Sequence, residues 1–250
     1  MIENDQQFQK IYQGWRDENI NSFAIDFEGE FNLHIYGEHL CLIQLFDRKN
    51  YYLIDPLGVS MSLLKEFFED ASIEKIMFDA SSDASLLYKN YQFELNGVYD
   101  VYLIGKVVGI EGNLSSLISK VTGKEAAKGK KGNQRANWLK RPLQQKLIEY
   151  ALGDVEYLFT IKEFLEKEIL SSDKVQEAKA IVQQGVKVKK NTVPGWTKLP
   201  GYRKMYRDQK IYLRWFFESR DMLAKEKNLP PYRVLDKRLL VDLAKDPPKN

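Results

Sequence analysis

The run "AIDFEGE" at residues 24–30 sets the hardest condition on this chain: Ala24 and Ile25 lead into the core, and three of the next five residues, Asp26, Glu28 and Glu30, are carboxylates. Alternate residues of a strand share a face, so Asp26 and Glu28 project to one side while Ile25 and Phe27 face the other. Two unit charges about 4 Å apart repel by roughly 4 kcal/mol at an effective dielectric near 20, so a half-buried pair needs a proton or a cation. A divalent cation meets that need; a strand end with both acids in solvent removes it. The pair alone leaves both readings open.

More acids stand at other places along the chain. In "EYALGDVEYL", Tyr150 and Asp154 are four apart and stack on one helix face. Asp154 lies against an apolar stripe, because its neighbours Ala151, Leu152, Val155 and Leu158 belong to that stripe. In "FDASSDASLLY", Asp79 suits a helix N-cap and Asp83 falls on the first turn, where the helix dipole alone would accommodate an acid.

Four short runs rich in β-branched and aromatic residues, "SFAIDF", "FNLHIYG", "CLIQLF" and "YYLIDP", predict strands of a largely antiparallel meander. Beyond Pro56 the pattern turns to βα alternation: a helix over "SMSLLKEFFEDA", a strand "IEKIMF", a helix from about 80 to 90 and another from about 101. A long apolar stripe then runs through "LQQKLIEYALGDVEYLFTIKEFLEKEIL", and a further helix is expected over about 173–190. The whole predicts an α/β chain with a mixed sheet flanked by helices. The Gly/Pro-punctuated stretch at 191–204 reads as a linker, dividing residues 1–190 from a helical segment at 205–250.

Charge divides at the same place. Residues 187–250 carry 17 Lys/Arg against 7 Asp/Glu, whereas residues 1–186 carry 21 against 28. Within the acidic part, residues 120–143 hold eight Lys/Arg and one Glu. Such an island is either a solvated loop or a surface for phosphates, with Trp138 available for base stacking. No run approaches the roughly 18 apolar residues of a membrane span, and "MIENDQQFQK" has no signal-peptide pattern, so a cytoplasmic protein is expected. The single cysteine, Cys41, sits in the apolar run "LCLIQLF" and reads as a packed core residue.

The ordered motifs "IDFEGEF", "FDASSDASLLYKNYQFELNGVYDVYLIG" and "YALGDVEYL", together with "LCLIQLFDRKNYYLIDPL" and "NWLKRPLQQKLIEYALGDVEYL", resemble the Tyr-containing branch of the DEDD exonuclease superfamily, and within it ribonuclease D. The resemblance covers about residues 20–168. It implies an RNase H-like fold in which Asp26, Glu28, Asp83 and Asp154 bind two divalent ions, Mg²⁺ or Mn²⁺, and Tyr150 orients the attacking water. The activity it implies is 3′-to-5′ trimming of single-stranded RNA with release of nucleoside 5′-monophosphates; a DNA exonuclease and an inactive nucleic-acid-binding scaffold are the alternatives. Glu30 has no counterpart in the family motif and stays outside the ligand set, and Asp100 reads as a structural N-cap. His34 and His39 match no ligand spacing and read as structural or surface residues.

The basic island directly precedes the helix of Tyr150 and Asp154, so Lys130, Lys131, Arg135, Trp138, Lys140 and Arg141 are expected to contact the substrate strand. Ala136 and Asn137 replace a polar pair common before the Trp in ribonuclease D, which puts any contact made by that pair in doubt. "LRWFFESRDMLAKEKNLPPYRVLDKRLLVDLAKDPP" resembles the start of an HRDC domain, with Trp215, Arg220, Ala224, Asn228, Pro230, Leu239 and Leu243 on its pattern. Residues 205–250 supply about two helices, short of a whole HRDC domain, so the segment reads as truncated or as a shortened arm. Trp215, Phe216 and Phe217 then call for cover from the nuclease or from self-association.

Overall fold

The computed structural model describes residues 1–124, 130–188 and 193–247. The chain divides into two compact units, Met1–Gly29 with Leu40–Lys189, and Glu30–His39 with Lys190–Asn250.

Five strands, β1 (Ser22–Phe31), β2 (Glu38–Phe46), β3 (Tyr51–Ile54), β4 (Glu74–Met77) and β5 (Val98–Asp100), form one mixed sheet in the order β3-β2-β1-β4-β5. β2 and β3 are antiparallel, while β4 runs parallel to both β1 and β5, with Ala24 opposite Ile76. Parallel neighbours need crossovers, which helices supply here. One face of the sheet is covered by α1 (Asp5–Asp17), α2 (Met61–Glu69) and α3 (Ser81–Tyr91). On the first of these, Asn4 caps the N-terminus by accepting from the Gln7 N–H, and Phe8, Tyr12 and Trp15 recur on one face. Trp15 packs on Phe23 of β1 with ring centroids 4.6 Å apart, and Phe8 meets Phe67 of α2 edge-on.

The other face carries α4 (Val101–Val107), α5 (Leu114–Thr122), α7 (Gln145–Val155), α8 (Leu158–Leu170) and α9 (Val175–Gln184), with a short α6 (Lys130–Asn133) before α7. Strand parity assigns the faces. Ile25 and Phe27 enter the α1–α3 core, whereas Ala24 packs with Ile76 and with Val155 and Leu158 on the opposite side. Asp26 and Glu28 share the parity of Ala24 and so belong to the α7–α8 side. On β2 the alternation slips once: Cys41 and Leu42, consecutive, both pack with Trp138 and α7, after which Ile43 and Leu45 return to the α1–α3 core. Two successive side chains on one face are what a β-bulge produces. Cys41 is fully buried.

Three expectations are corrected. "FNLHIYG" is not a strand: β1 runs on to Phe31 and residues 32–37 form a loop. Asn32 and Gly37 both have positive φ, the Asn32 N–H donates to the Gly37 carbonyl at 2.9 Å, and the Gly37 N–H donates to the Asn32 side chain at 2.8 Å. Local bonds of this kind compete with a sheet ladder. The long helical stripe is also two helices, α7 and α8, because the first packs on Leu42 and Trp138 and the second on Ile76 and Ile104. Finally, Asp79 is not an N-cap. Its φ is +51°, Ala80 occupies the cap of α3 without a side-chain bond, and the N–H groups of Asp79 and Ala80 donate to Asp100 at 3.1 and 3.0 Å. Asp100 also caps α4 through Tyr102 and Leu103, so one buried carboxylate ties the starts of two helices. Burial pushes its pKa up, against the pull of those four N–H donors.

Among its described residues the second unit has three α-helices rather than two: α10 (Arg207–Glu226), α11 (Pro231–Val234) and α12 (Lys237–Lys245). Its core joins Leu213 to Leu240, Val241 and Ala244, and the stretch read as a linker contributes Leu199 and Trp196. Phe216 and Phe217 pack against this core, with Phe217 6.0 Å from the Trp196 ring, and only Trp215, 62% exposed, lacks such cover. The loop at 30–39 belongs to the same unit: Tyr36 donates to Asp221 at 2.8 Å, and Tyr232 donates to the Leu33 carbonyl at 3.1 Å. No helix among the described residues is long and apolar enough to cross a membrane.

Candidate active site

Strand β1 delivers Asp26 and Glu28, and the last turn of α7 delivers Asp154, to one place. One carboxylate oxygen from each lies within 4.8 Å of the other two. Glu28 and Asp154 are buried and Asp26 is half-buried. Three carboxylates at that separation repel strongly, and removing them from water raises the repulsion further. All the donors are hard oxygens, the ligand type of Mg²⁺ or Mn²⁺ rather than of thiolate-seeking metals. The acids therefore fit a divalent cation.

Tyr150 lies one turn before Asp154 on α7 and is half-buried. Its pKa is raised well above the ordinary phenol value, first by burial, then by the charges of Asp154 and Glu28, by a hydrogen bond to Asp154 and by Asp26. The phenol is thus a permanent proton donor facing the acids, and it reports their combined field. Asp83 occupies the first turn of α3, half-buried, and is not among the residues whose oxygens converge within 4.8 Å. Glu30 is engaged elsewhere: it is buried and accepts from the Leu33 and His34 N–H groups, with His34 Nδ1 2.7 Å from its second oxygen.

The basic segment divides. Trp138 is 0% exposed and packs among Cys41, Leu42, Leu143, Leu147 and Ala151, so it is core and has no face to offer a base. Arg141 is a clamp: Nε and Nη2 meet the two Asp55 oxygens at 2.5 and 2.7 Å, Nη2 also donates to the Cys41 carbonyl at 2.8 Å, and Nη1 donates to the Trp138 carbonyl at 2.7 Å. Burial alone would raise Asp55, but Arg141 and the Leu57 N–H hold it below the usual carboxylate range. Both residues were expected to touch substrate and instead pin the segment before α7 onto the sheet. Arg135 and Lys140 are exposed. The side chains of Lys130 and Lys131 lie outside the described residues.

Two further residues carry weight that the sequence reading missed. Asp55 was visible only as part of "LIDP", whose acid gives no sign of its Arg141 partner 86 positions away. Gln44 was visible as the one polar residue in "LCLIQLF"; it is fully buried, and neither of its amide atoms has a hydrogen-bond partner among the described residues. A cavity of about 670 Å³ between α8 and α9, floored by Tyr99 and Ile104, contains none of the three acids.

Known proteins resemble this chain in sequence and in fold. A family model described as 3′-5′ exonuclease matches residues 1–170. Ribonuclease D of Xanthomonas oryzae is 26% identical over 230 residues, covering 85% of this chain and 60% of that protein. Exosome complex exonuclease RRP6 of Saccharomyces cerevisiae is 25% identical over 246 residues, covering 90% of this chain and 33% of its own length. The chain thus spans between a third and three-fifths of these relatives. Among solved structures, Escherichia coli RNase D, described as an exoribonuclease involved in structured RNA processing, superimposes with a TM-score of 0.77 at 25% identity, over 100% of this chain and 67% of that one. The RRP6 catalytic core of Trypanosoma brucei shares the fold, with a TM-score of 0.81 at 20% identity over 100% of this chain and 71% of that one. With more than half its length matched to that model, the chain belongs to the 3′-5′ exonuclease family.

Proposed function

We propose that this chain is a metal-dependent 3′-to-5′ exoribonuclease that trims single-stranded RNA and releases nucleoside 5′-monophosphates. The observation that carries the reading is the convergence of Asp26, Glu28 and Asp154 beside the phenol of Tyr150. The names of the relatives, ribonuclease D and an exosome exonuclease, favour RNA over DNA. The helical second unit is read as an HRDC-like segment, and the cytoplasm as the place of action.

Asp26, Glu28 and Asp154, with Asp83 as the fourth acid, would hold two divalent ions, Mg²⁺ or Mn²⁺. When bound, such ions lower the pKa of an attacking water and stabilise the charge that develops on the scissile phosphate and the departing 3′ oxygen. Tyr150 keeps its proton at neutral pH, so its hydroxyl donates to the attacking water or to a phosphate oxygen and fixes the line of approach. The burial of Glu28 and Asp154 and the half-burial of Asp26 keep their negative field strong where the cations are needed. Arg135 and Lys140 neutralise phosphates of the incoming strand.

The test uses 5′-labelled single-stranded RNA and its DNA counterpart with Mn²⁺, with EDTA, and with Asp154→Ala protein. The expected outcome is a metal-dependent ladder shortening from the 3′ end of RNA and absent for the variant. Faster decay of DNA would transfer the reading to a DNA exonuclease, and tight binding of both without cleavage would transfer it to a scaffold.

A further inference from the structure

Among the described residues with a buried polar atom that lacks a partner, Gln44 alone has two such atoms. It is 0% exposed, and neither its Oε1 nor its Nε2 meets a hydrogen-bond partner among the described residues. A buried carboxamide in that condition destabilises the fold, because it gives up hydration without a replacement bond. Native proteins keep such groups rarely, and each instance calls for an explanation.

Its position supplies one. Beyond the slip at Cys41 and Leu42, β2 alternates regularly: Ile43 and Leu45 enter the α1–α3 core, and Gln44 shares the parity of Leu42 and Phe46 on the other face. Leu42 packs with Leu147 and Ala151 of α7, and Phe46 packs with Phe159 of α8 at 6.0 Å between ring centroids. Gln44 stands between Leu42 and Phe46 on β2, and the helix positions they pack against, Ala151 and Phe159, bracket Asp154 near the end of α7. On the neighbouring strand β1, the same face of the sheet bears Asp26 and Glu28. On its other side Gln44 pairs with Leu53 of β3, which brings no acid, so of the elements around it β1 and α7 supply all three converging acids. The Nε1 of Trp138, in the cluster that holds Leu42, is also buried without a partner among the described residues, as are single atoms of Trp15, Tyr99 and Arg220 elsewhere.

We propose that Gln44 is a positioning residue of the acid cluster: its carboxamide is kept in the core to hydrogen-bond the acids supplied by β1 and α7, fixing their orientation when they hold a cation. A carboxamide suits this task because it donates and accepts while adding no charge to a site already crowded with negative charge. Groups that orient ligand carboxylates in this way govern affinity without touching the ion or the substrate. The inference rests on the reading of the acids as a cation site and names a residue outside the four-acid and tyrosine set.

The test compares wild type with Gln44→Met, which keeps the volume, and Gln44→Leu, in three measurements: thermal melting of the metal-free protein, Mn²⁺ binding by titration calorimetry, and steady-state kinetics on single-stranded RNA. Both variants are expected to melt several degrees higher, because two unpaired polar atoms leave the core. Mn²⁺ affinity and kcat are expected to fall about 10- to 100-fold, with KM for RNA changed by less than about twofold. Variants that bind Mn²⁺ and turn over like wild type, whether they melt higher or lower, would overturn the proposal and leave Gln44 a packing residue. If wild type cleaves no nucleic acid, the exonuclease reading fails by itself, and the Mn²⁺ titration of the variants still decides whether Gln44 orients the acids.

Discussion

Two stretches read from the sequence as places of chemistry, the acids of β1 and α7 and the basic segment at 130–141, and the structure treats them differently. Asp26, Glu28 and Asp154 converge to within 4.8 Å, half-buried or buried. In the basic segment, Trp138 disappears into the core and Arg141 is consumed by Asp55 and three carbonyls, while Arg135 and Lys140 remain exposed. The difference lies in what else each residue type can do. A cluster of like charges has no packing use, so its burial points outward to a cation. An indole fills volume and a guanidinium makes bidentate bonds, so either can be absorbed by the fold itself.

The largest effect tests the first half of that contrast. Asp154→Ala should lower RNA turnover by about 10³-fold or more, the loss of several kcal/mol of stabilisation in the transition state. The same variant should melt, without metal, at or above the wild-type temperature, since one of three mutually repelling charges is gone. A variant that loses activity and stability together would reduce Asp154 to a structural acid and break the contrast.

The second half predicts stability effects where substrate effects had been expected. Trp138→Ala should cost about 4 kcal/mol, as large aromatic truncations in cores do. Urea denaturation measures it, and a higher KM for RNA at unchanged stability would return Trp138 to the substrate. Arg141→Met should cost about 3 kcal/mol at neutral pH, because it strands the Asp55 carboxylate and removes the donor of three carbonyls. The sign with pH follows from Asp55, whose folded pKa lies below its unfolded value. Its pairing stabilises fully above the unfolded carboxylate pKa, near about 3.9, and that contribution fades as pH falls through the lower folded value. The gap between wild type and Arg141→Met, read from urea curves at neutral and strongly acidic pH, should therefore close in acid.

How much was legible follows the same physics. The helices α2, α3, α4 and α9, the apolar stripe that runs through α7 and α8 and the βα alternation come from period and apolar spacing, which are local, and so does the convergence of Asp26 with Glu28, which strand parity alone secures; the N-terminal helix α1 went unread. What escaped depends on partners distant in sequence. "FNLHIYG" has strand composition, yet Asn32 and Gly37 close it into a loop through a side-chain bond that no propensity records. Asp79 has the right residue type for a cap, but Asp100, 21 positions later, accepts the N–H groups of Asp79 itself and of Ala80, and Ala80 takes the cap position. The α7–α8 break leaves the apolar spacing intact and reflects two different docking surfaces. Gln44 was in plain view, but only three-dimensional burial reveals that it is unpaired.

Arg135 and Lys140 give the smallest effect and the finest test. Both are exposed on the segment that Arg141 and Trp138 pin to the sheet. An exposed cation contributes to stability within about 0.5 kcal/mol either way, so neutralising it should leave the urea curve unmoved. A phosphate contact behaves otherwise, because each one releases counterions from a single strand and adds roughly 0.7 to the slope of log affinity against log salt. Arg135→Gln and Lys140→Gln should thus each raise KM for RNA several-fold at low salt, reduce the salt slope by about that amount, and leave kcat untouched. If the slope stays the same for both, the basic segment is structural throughout, and the strand approaches the acids from another side; if it changes for one alone, that residue marks the path of the strand.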